Sequence, residues 1–338
     1  MKKVLCLLLV STILICAISL TSCDDEKTTT STTTTTSPST TTTPKPHEHS
    51  YVPEVTEPTY TEQGYTTYTC ECGDSYVSDY VDALIKPSGD LEFALNEDGE
   101  SYSVIGVGEC TEAEIVIPST YNDLPVTAIG EYAFSDKDFI CSVTIPDSVL
   151  VIGNGAFAAC DMLESINMGN SVTTIGENAF RFCTSLTDIV LPDSVKTIGG
   201  AAFYYCTALT SILIPKSVET IEMATFGNCT ALESVTIPQG VKTIGDWAFQ
   251  VCTSLKTVVI PDTVTTIGET AFSTCTSLTI VTIPNTITSC GDDVFKGCYS
   301  ITTIHFGGSI DEWQNNAIFR PLHVGTAEVH CINGVIPR

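Results

Sequence analysis

Two histidines and two cysteines in one short segment are the residues of this sequence best suited to bind a metal. The histidines form a His-x-His pair, His47 and His49, and the cysteines form a Cys-x-Cys pair, Cys70 and Cys72. Imidazole nitrogens and thiolates are the ligands of tetrahedral zinc sites, so these four residues are a candidate structural zinc site. Cys-x-Cys is tighter than the usual Cys-x2-Cys spacing. The alternative is that the cysteines are oxidised or packed and the histidines are solvated.

Histidine is otherwise scarce, and this limits the enzymatic chemistry open to the chain. The other three are His305, His323 and His330, so none lies between residues 50 and 304. The central part of the chain therefore cannot supply the base of a Ser-His or Cys-His pair. We predict that the protein is not an enzyme and that it has no cofactor, apart from the candidate zinc.

The charge balance argues against one class of partner. The chain carries 40 Asp plus Glu against 14 Lys plus Arg, for a net charge of -26. Nucleic acids are bound through clustered basic side chains, so we expect no nucleic-acid partner.

The amino terminus predicts export. Lys2 and Lys3 precede the apolar run 4–20, which is the layout of a secretory signal. The run ends in Leu-Thr-Ser-Cys, which resembles the lipobox of bacterial lipoproteins. This resemblance implies that residues 1–22 are a signal peptide and that Cys23 carries lipid, which would be the only contact with a membrane. An ordinary signal peptide or an anchoring helix is the alternative. Residues 23–46 continue as a Thr-rich linker.

Phenylalanine recurs at a constant spacing of 23 residues through the rest of the chain, at Phe134, Phe157, Phe180, Phe203, Phe226, Phe249, Phe272 and Phe295. A period of this length predicts a solenoid, in which each unit buries its apolar face by stacking on its neighbours. Within one unit, Leu186, Ile189 and Leu191 are predicted to face inward, whereas Asp188 and Val190 face outward. After the strand, a second short extended piece and a brief helical segment around Ala202 and Phe203 are expected.

The pattern I-P-x-x-V-x-x-I-G-x-x-A-F-x-x-C-x-x-L resembles the BspA-like class of bacterial surface leucine-rich repeats. The resemblance implies a leucine-rich-repeat solenoid displayed on the cell surface, with adhesion to host or neighbour-cell proteins and glycans. Three local departures are Glu222 in place of the turn glycine, Cys290 in place of the turn isoleucine and Gly169 in place of proline. Each is expected to weaken one rung without breaking the stack.

These features divide the chain beyond the linker into four parts. They are a small β-rich Cys/His module at 47–86, an amino-terminal β cap at 87–128, the solenoid at 129–304 and a carboxy-terminal cap at 305–338. Cysteines also recur three residues after a repeat phenylalanine, and we interpret them as core thiols.

Repeat positions that reach the surface are the candidates for function. One position is acidic in five units and is interpreted as a solvated stripe rather than a calcium or catalytic site: Glu131, Glu177, Asp246, Glu269 and Asp292. The outward strand position is dominated by small neutral residues. Positions beside the phenylalanine supply a candidate ligand-binding strip, with packing against the neighbouring unit as the alternative: Arg181, Phe182, Tyr204, Tyr205 and Trp247.

From these patterns we predict a lipid-anchored binding or adhesion protein of the bacterial surface, with an extracellular protein as its ligand. A carbohydrate-binding accessory protein is the alternative, and a carboxylate-based glycoside hydrolase is the less favoured one. The sequence does not indicate the oligomeric state.

Overall fold

The computed structural model of this protein describes residues 49–59, 62–83, 86–315, 318 and 327–337. The chain divides into two compact units, Met1–Leu84 and Ile85–Arg338. The predicted signal peptide at 1–22, Cys23, the predicted linker and His47 lie outside the described residues. Among the residues that are described, no helix has the length and apolar character needed to cross a membrane.

The first unit is a three-stranded antiparallel sheet. Its strands, in spatial order, are β1 (Tyr51–Thr56), β2 (Gly64–Cys70) and β3 (Ser75–Val81). A tight turn joins β2 to β3, in which the amide of Cys70 donates to the carbonyl of Asp74 at 2.8 Å and Gly73 has a φ of 91°. Glycine is suited to this position because a residue with a side chain is strained at positive φ.

The second unit begins, within the segment predicted as a β cap, with a hairpin formed by β4 (Glu92–Leu95) and β5 (Tyr102–Gly106). It continues through β6 (Glu114–Val116) and a second hairpin of β7 (Thr120–Tyr121) and β8 (Leu124–Ile129). Because β5 also pairs in parallel with β8, the first hairpin covers the end of one strand ladder of the solenoid.

Each repeat then adds one strand to each of two ladders. The ladder of main strands starts from β6 and continues with β9 (Ser142–Thr144), β11 (Ser165–Asn167), β13 (Asp188–Ile189), β15 (Ser211–Leu213), β17 (Ser234–Thr236), β19 (Thr257–Val259), β21 (Ile280–Ile283) and β23 (Thr303–Phe306). The ladder of short strands starts from β8 and continues with β10 (Val151–Ile152), β12 (Thr174–Ile175), β14 (Thr197–Ile198), β16 (Thr220–Ile221), β18 (Thr243–Ile244), β20 (Thr266–Ile267) and β22 (Ser289–Cys290).

The carboxy-terminal end contains α1 (Ile310–Asn315), β24 (Glu328–Cys331) and β25 (Gly334–Ile336). β24 pairs in parallel with β23, and β25 then pairs antiparallel with β24. Trp313 of α1 packs edge-on against Phe306, with ring centroids 5.1 Å apart.

The core follows the predicted alternation. Leu186, Ile189 and Leu191 are buried, whereas Asp188 and Val190 are exposed. All eight repeat phenylalanines have no exposed surface, and neighbouring rings stack with centroids 5.1 to 5.5 Å apart and planes within 14°. A buried phenylalanine contributes about 2–3 kcal/mol by leaving water, and here that burial exists only because the next coil is present.

The predicted core thiols form a second ladder, and all seven are free and buried. Each Sγ donates to the carbonyl of the phenylalanine 26 residues earlier, as in Cys206 to Phe180 at 3.2 Å. The same contact recurs at 2.9 to 3.2 Å in the other six. Cysteine suits this position because it is small and apolar, yet satisfies a buried acceptor.

The segment around Ala202 and Phe203 differs from its prediction, because it consists of turns and contains no helix. Two residues per coil, two before and two after the phenylalanine, have positive φ, as Ala201 (54°) and Tyr205 (63°) do here. For residues other than glycine this conformation costs about 1–2 kcal/mol. Hydrogen bonds to the next coil offset the cost, since the amides of Ala201 and Tyr205 donate to the carbonyls of Met223 at 2.8 Å and Gly227 at 2.9 Å.

The turn glycine is explained by how closely the coils approach. A Cβ built on Gly199 would lie 2.5 Å from the amide nitrogen of Glu177 in the preceding coil. The same holds at 2.3 to 2.8 Å for Gly153, Gly176, Gly245, Gly268 and Gly291.

Glu222 occupies this position in one coil, and there the ladder of short strands is interrupted between β14 and β16. The ladder of main strands is also interrupted, between β13 and β15 and again between β17 and β19. Phe203 and Phe226 nevertheless stack at 5.5 Å. The stack therefore continues, as predicted, while the sheet beside Glu222 opens.

Candidate functional site

Four of the five residues in the predicted binding strip come together on the turns of two adjacent coils. Arg181 and Tyr204 follow a core phenylalanine directly, and Phe182 and Tyr205 come one residue later, each with a φ of 63°. We call these four residues the turn patch. Positions 181 and 204 lie one coil apart, so the regular stacking of coils brings the four side chains into contact.

The turn patch is held together by ring contacts. The ring centroid of Phe182 lies 5.2 Å from that of Tyr205 and 6.2 Å from that of Tyr204, and the two tyrosine rings are 5.0 Å apart. The guanidinium carbon of Arg181 lies 4.7 Å from the centroid of Phe182 and 5.6 Å from that of Tyr204. Contacts of this kind between a cation and aromatic faces contribute about 0.5–2 kcal/mol.

Arg181 has an unusual environment for this acidic protein. It is the only arginine in the part of the chain that the structure describes, and none of the described carboxylates forms an ion pair with it. Its Nε atom is buried and has no hydrogen-bond partner among the described residues. A buried donor without a partner costs about 1–3 kcal/mol, so the contacts of the guanidinium with the two rings hold Arg181 in place against this cost.

Trp247 does not join this cluster. It lies in the second coil beyond Tyr204, is 41% exposed, and forms no ring pair with the turn patch among the described residues. Gly227 lies between them, because a Cβ on Gly227 would be 3.0 Å from the ring of Tyr204 and 3.2 Å from the carbonyl oxygen of Trp247. Tyr204 therefore packs on the neighbouring coil, as the alternative interpretation expects, while Tyr205 remains 38% exposed.

The outward face of the main strands, where small neutral residues predominate, also carries three exposed aliphatic side chains. Val190, Leu213 and Val259 are 80%, 67% and 61% exposed. We call these three residues the aliphatic column. Most other coils have Thr or Asn at this position. The column is therefore visible in the sequence as aliphatic residues at a position that the alternation of the strand turns towards solvent.

Two open grooves flank the interruption at Glu222. One, of about 580 Å³, is lined among others by Asn154, Glu177 and Glu222. The other, of about 540 Å³, is lined by residues that include Lys196, Glu219 and again Glu222. Each groove is lined by two glutamates, Glu177 and Glu222 in the larger and Glu219 and Glu222 in the smaller, and a carboxylate pair of this kind is what the hydrolase alternative requires.

The acidic stripe has a structural use in at least part of its length. The carboxylate of Asp246 accepts the backbone amide of Glu269 at 2.7 Å, and the side chain of Asn154 accepts the amide of Glu177 at 2.9 Å in the same way. These side chains therefore satisfy backbone donors at the start of the turns, on an exposed edge of the stack.

Three of the four predicted metal ligands converge in the first unit. One ligand atom from each of His49, Cys70 and Cys72 lies within 4.8 Å of the others, and Nδ1 of His49 is 3.3 Å from Sγ of Cys72. Hydrogen bonds from the backbone and side chain of Cys72 lower the pKa of the Cys70 thiol to about 6. In the solenoid, burial has the opposite effect on Cys160, whose pKa it raises to about 12, and this makes Cys160 a poor nucleophile. At the end of the same ladder, a hydrogen bond with Cys275 lowers the pKa of Cys298.

The chain is similar to known bacterial repeat proteins. The structure of the leucine-rich repeat protein TpLRR of T. pallidum is 30% identical, with a TM-score of 0.52, over 64% of this chain and 90% of that one. A leucine-rich repeat protein of Bacteroides ovatus is 27% identical, with a TM-score of 0.44, over 67% of this chain and 71% of that one. Among curated proteins, none matches the chain.

The family model described as BspA type leucine rich repeat region matches six copies here, over residues 109–212 and 196–321. These ranges span more than half of the chain and contain the phenylalanine, cysteine and glycine ladders described above. The protein therefore belongs to the BspA-type leucine-rich-repeat family.

Proposed function

We propose that this protein is displayed on the bacterial surface and acts as an adhesion protein that binds host or neighbour-cell proteins through the turn patch. The observation that carries the proposal is the turn patch itself, in which the guanidinium of Arg181 lies against two aromatic rings and the neighbouring Tyr205 is 38% exposed. Arginine and aromatic residues supply much of the binding energy at protein interfaces. Membership of the BspA-type family supports a binding role.

The chemistry of the turn patch indicates what the partner contributes. A carboxylate would pair with the guanidinium, and an apolar or aromatic group would cover the rings of Phe182 and Tyr205. With a net charge of -26, the chain repels acidic partners at long range, so an acidic group is attracted only close to Arg181. We further propose that lipid on Cys23 holds the protein at the membrane, with the linker 24–46 as a spacer; the support for this is the sequence at the amino terminus.

A carbohydrate ligand is the second candidate. It is favoured by Tyr204 and Tyr205, whose rings lie 5.0 Å apart beside a cation, because aromatic faces stack on sugar rings. In this case Arg181 would bind a sugar carboxylate or hydroxyl group.

The test is a binding screen of the purified mature chain against extracellular-matrix proteins and a glycan array. The turn-patch variant combines Arg181→Gln, Phe182→Asn, Tyr204→Ala and Tyr205→Asn. Asparagine is used at 182 and 205 because both have positive φ, which asparagine tolerates better than alanine. The matched variant changes the aliphatic column to threonine, which other coils already have at Thr144, Thr236 and Thr282.

Saturable binding to a protein that is lost in the turn-patch variant and kept in the matched variant would support the proposal. The reverse pattern would move the binding surface to the main strands and refute the role of the turn patch. Binding to glycans alone would favour the second candidate. Glycan cleavage that is abolished by Glu222→Gln would replace both proposals with the hydrolase.

A further inference from the structure

The described part of the first unit, a sheet of three strands, buries too little apolar surface to account for its own folding. Of its described residues, 49–59 and 62–83, only Gly64, Thr66 and Cys70 are buried. Its large apolar side chains are instead exposed, among them Val52 (65%), Val55 (63%) and Tyr80 (61%). Units of about 40 residues or fewer rarely fold on a hydrophobic core alone and usually need a disulfide, a metal or association with another chain.

A disulfide does not supply this stabilisation, because Cys70 and Cys72 are both free thiols. The backbone instead brings them to a histidine. Strand pairing places Tyr51 opposite Cys70, and His49 lies just before Tyr51 at the same end of the sheet. The turn after Cys70 then returns Cys72 to the same place, with the amide of Gly73 donating to the carbonyl of Cys70 at 2.9 Å.

The separations of the three ligand atoms suit a tetrahedral zinc ion. With zinc–sulfur bonds of about 2.3 Å and zinc–nitrogen bonds of about 2.0 Å, two sulfurs or a sulfur and a nitrogen in a tetrahedral site lie roughly 3.5 to 3.8 Å apart. Nδ1 of His49 and Sγ of Cys72 are 3.3 Å apart, and the three ligand atoms all lie within 4.8 Å of one another. Thiolates and imidazoles are also typical ligands of zinc, whereas calcium and magnesium prefer oxygen ligands.

We infer that His49, Cys70 and Cys72 bind one zinc ion and that this ion holds the first unit folded. The metal replaces the missing core, because a site that forms only in the folded chain transfers its binding free energy to folding. His47, which the sequence analysis assigned as the fourth ligand, lies outside the described residues and is tested separately. The inference is independent of what the solenoid binds.

The experiment uses the full mature chain, kept reduced and freed of metal by chelator and dialysis. Zinc content is measured by mass spectrometry of the metal after equilibration, and Co²⁺ is titrated as a spectroscopic probe of tetrahedral thiolate coordination. Limited proteolysis with and without zinc then reports on folding, with the solenoid as an internal reference in the same chain. Cys70→Ser, Cys72→Ser and His49→Ala are compared with Cys331→Ser, which changes a thiol outside the first unit.

We expect one zinc ion per chain and a cobalt spectrum typical of tetrahedral thiolate coordination. The affinity for zinc should fall at least about a hundredfold in Cys70→Ser and Cys72→Ser, and Cys331→Ser should bind zinc as tightly as the unchanged chain does. Removal of zinc should expose residues 49–83 to protease and leave the solenoid intact. Binding that survives Cys72→Ser, or a chain that takes up no zinc, would overturn the site. Unchanged proteolysis after zinc removal would overturn the role in folding, and undiminished affinity in His47→Ala would overturn the assignment of His47.

Discussion

Gly199→Ala would test the explanation of the turn glycines directly. The added Cβ would lie 2.5 Å from the amide nitrogen of Glu177 and 2.7 Å from the carbonyl carbon of Gly176. Both contacts are with backbone atoms, which cannot rotate away as the end of a side chain can. To reach van der Waals distance, the two coils would have to separate by roughly 1 Å at this point.

The expected cost follows from what that separation breaks. The amide of Gly199 donates to the carbonyl of Ile175 at 2.9 Å, and that of Lys196 donates to the carbonyl of Thr173 at 2.9 Å. Each bond contributes about 1 kcal/mol, and overpacking adds about 1–3 kcal/mol. Alanine also restricts the unfolded chain, which returns about 0.4–1 kcal/mol. We therefore expect the free energy of unfolding to fall by about 3 kcal/mol.

The matched control is Gly200→Ala, one residue along. A Cβ there would meet only the carbonyl oxygen of Met223 at 3.3 Å, and Gly200 does not have positive φ. Its effect should stay within about 0.5 kcal/mol. Urea unfolding followed by circular dichroism measures both variants, with the slope checked so that only a shift of the midpoint is interpreted. Equal midpoints for the two alanine variants would refute the steric explanation.

Three other results are expected from the same physics. Glu222→Gly should let β14 pair with β16 and so raise the free energy of unfolding by about 1–2 kcal/mol. Amide hydrogen exchange at residues 219 and 222 should then become slower, and faster exchange would contradict the prediction. Val251→Asn should raise the free energy of unfolding by about 1 kcal/mol, because Val251 is β-branched and has a φ of 60°, where asparagine is less strained. A lower urea midpoint in this variant would count against backbone strain at Val251. Burial raises the pKa of Cys160 and Cys229 from 9.0 to about 12, so the unfolded chain loses these protons above pH 9 while the native chain keeps them. Stability should therefore fall as pH rises from about 9 towards 12, by about 1.4 kcal/mol per thiol per pH unit, and Cys229→Ala should reduce the slope of the urea midpoint against pH.

Most of the solenoid could be predicted from the sequence because its contacts repeat at a constant interval. A residue at one repeat position packs on the residue 23 places away, so the type and direction of Phe203 or Cys206 can be read from their copies. The turns could not be read in this way. Residues as different as Ala201, Tyr205 and Val251 have positive φ, and their conformation is imposed by hydrogen bonds to the next coil rather than by their own preference.

For the candidate sites, too, the sequence indicated the residue types and the structure showed which of them lie together. The residue types of the candidate zinc site were evident from sequence, but only the pairing of Tyr51 with Cys70 places His49 beside the two thiols. Similarly, the sequence pointed to five residues for the binding strip. The stacking of adjacent coils places Arg181 against the rings of Phe182 and Tyr204, brings Tyr205 against the same two rings, and leaves Trp247 apart.

The period, the inward and outward faces of each strand, and the family all follow from the sequence alone, since each depends on a pattern that recurs every 23 residues. The sequence also marks Glu222 as a departure from the turn glycine. The extent of the disturbance is visible only in the folded chain, because it depends on how closely the coils pack. There both ladders are interrupted next to the coil of Glu222 and two grooves open beside this residue, while a further interruption of the main ladder lies between β17 and β19.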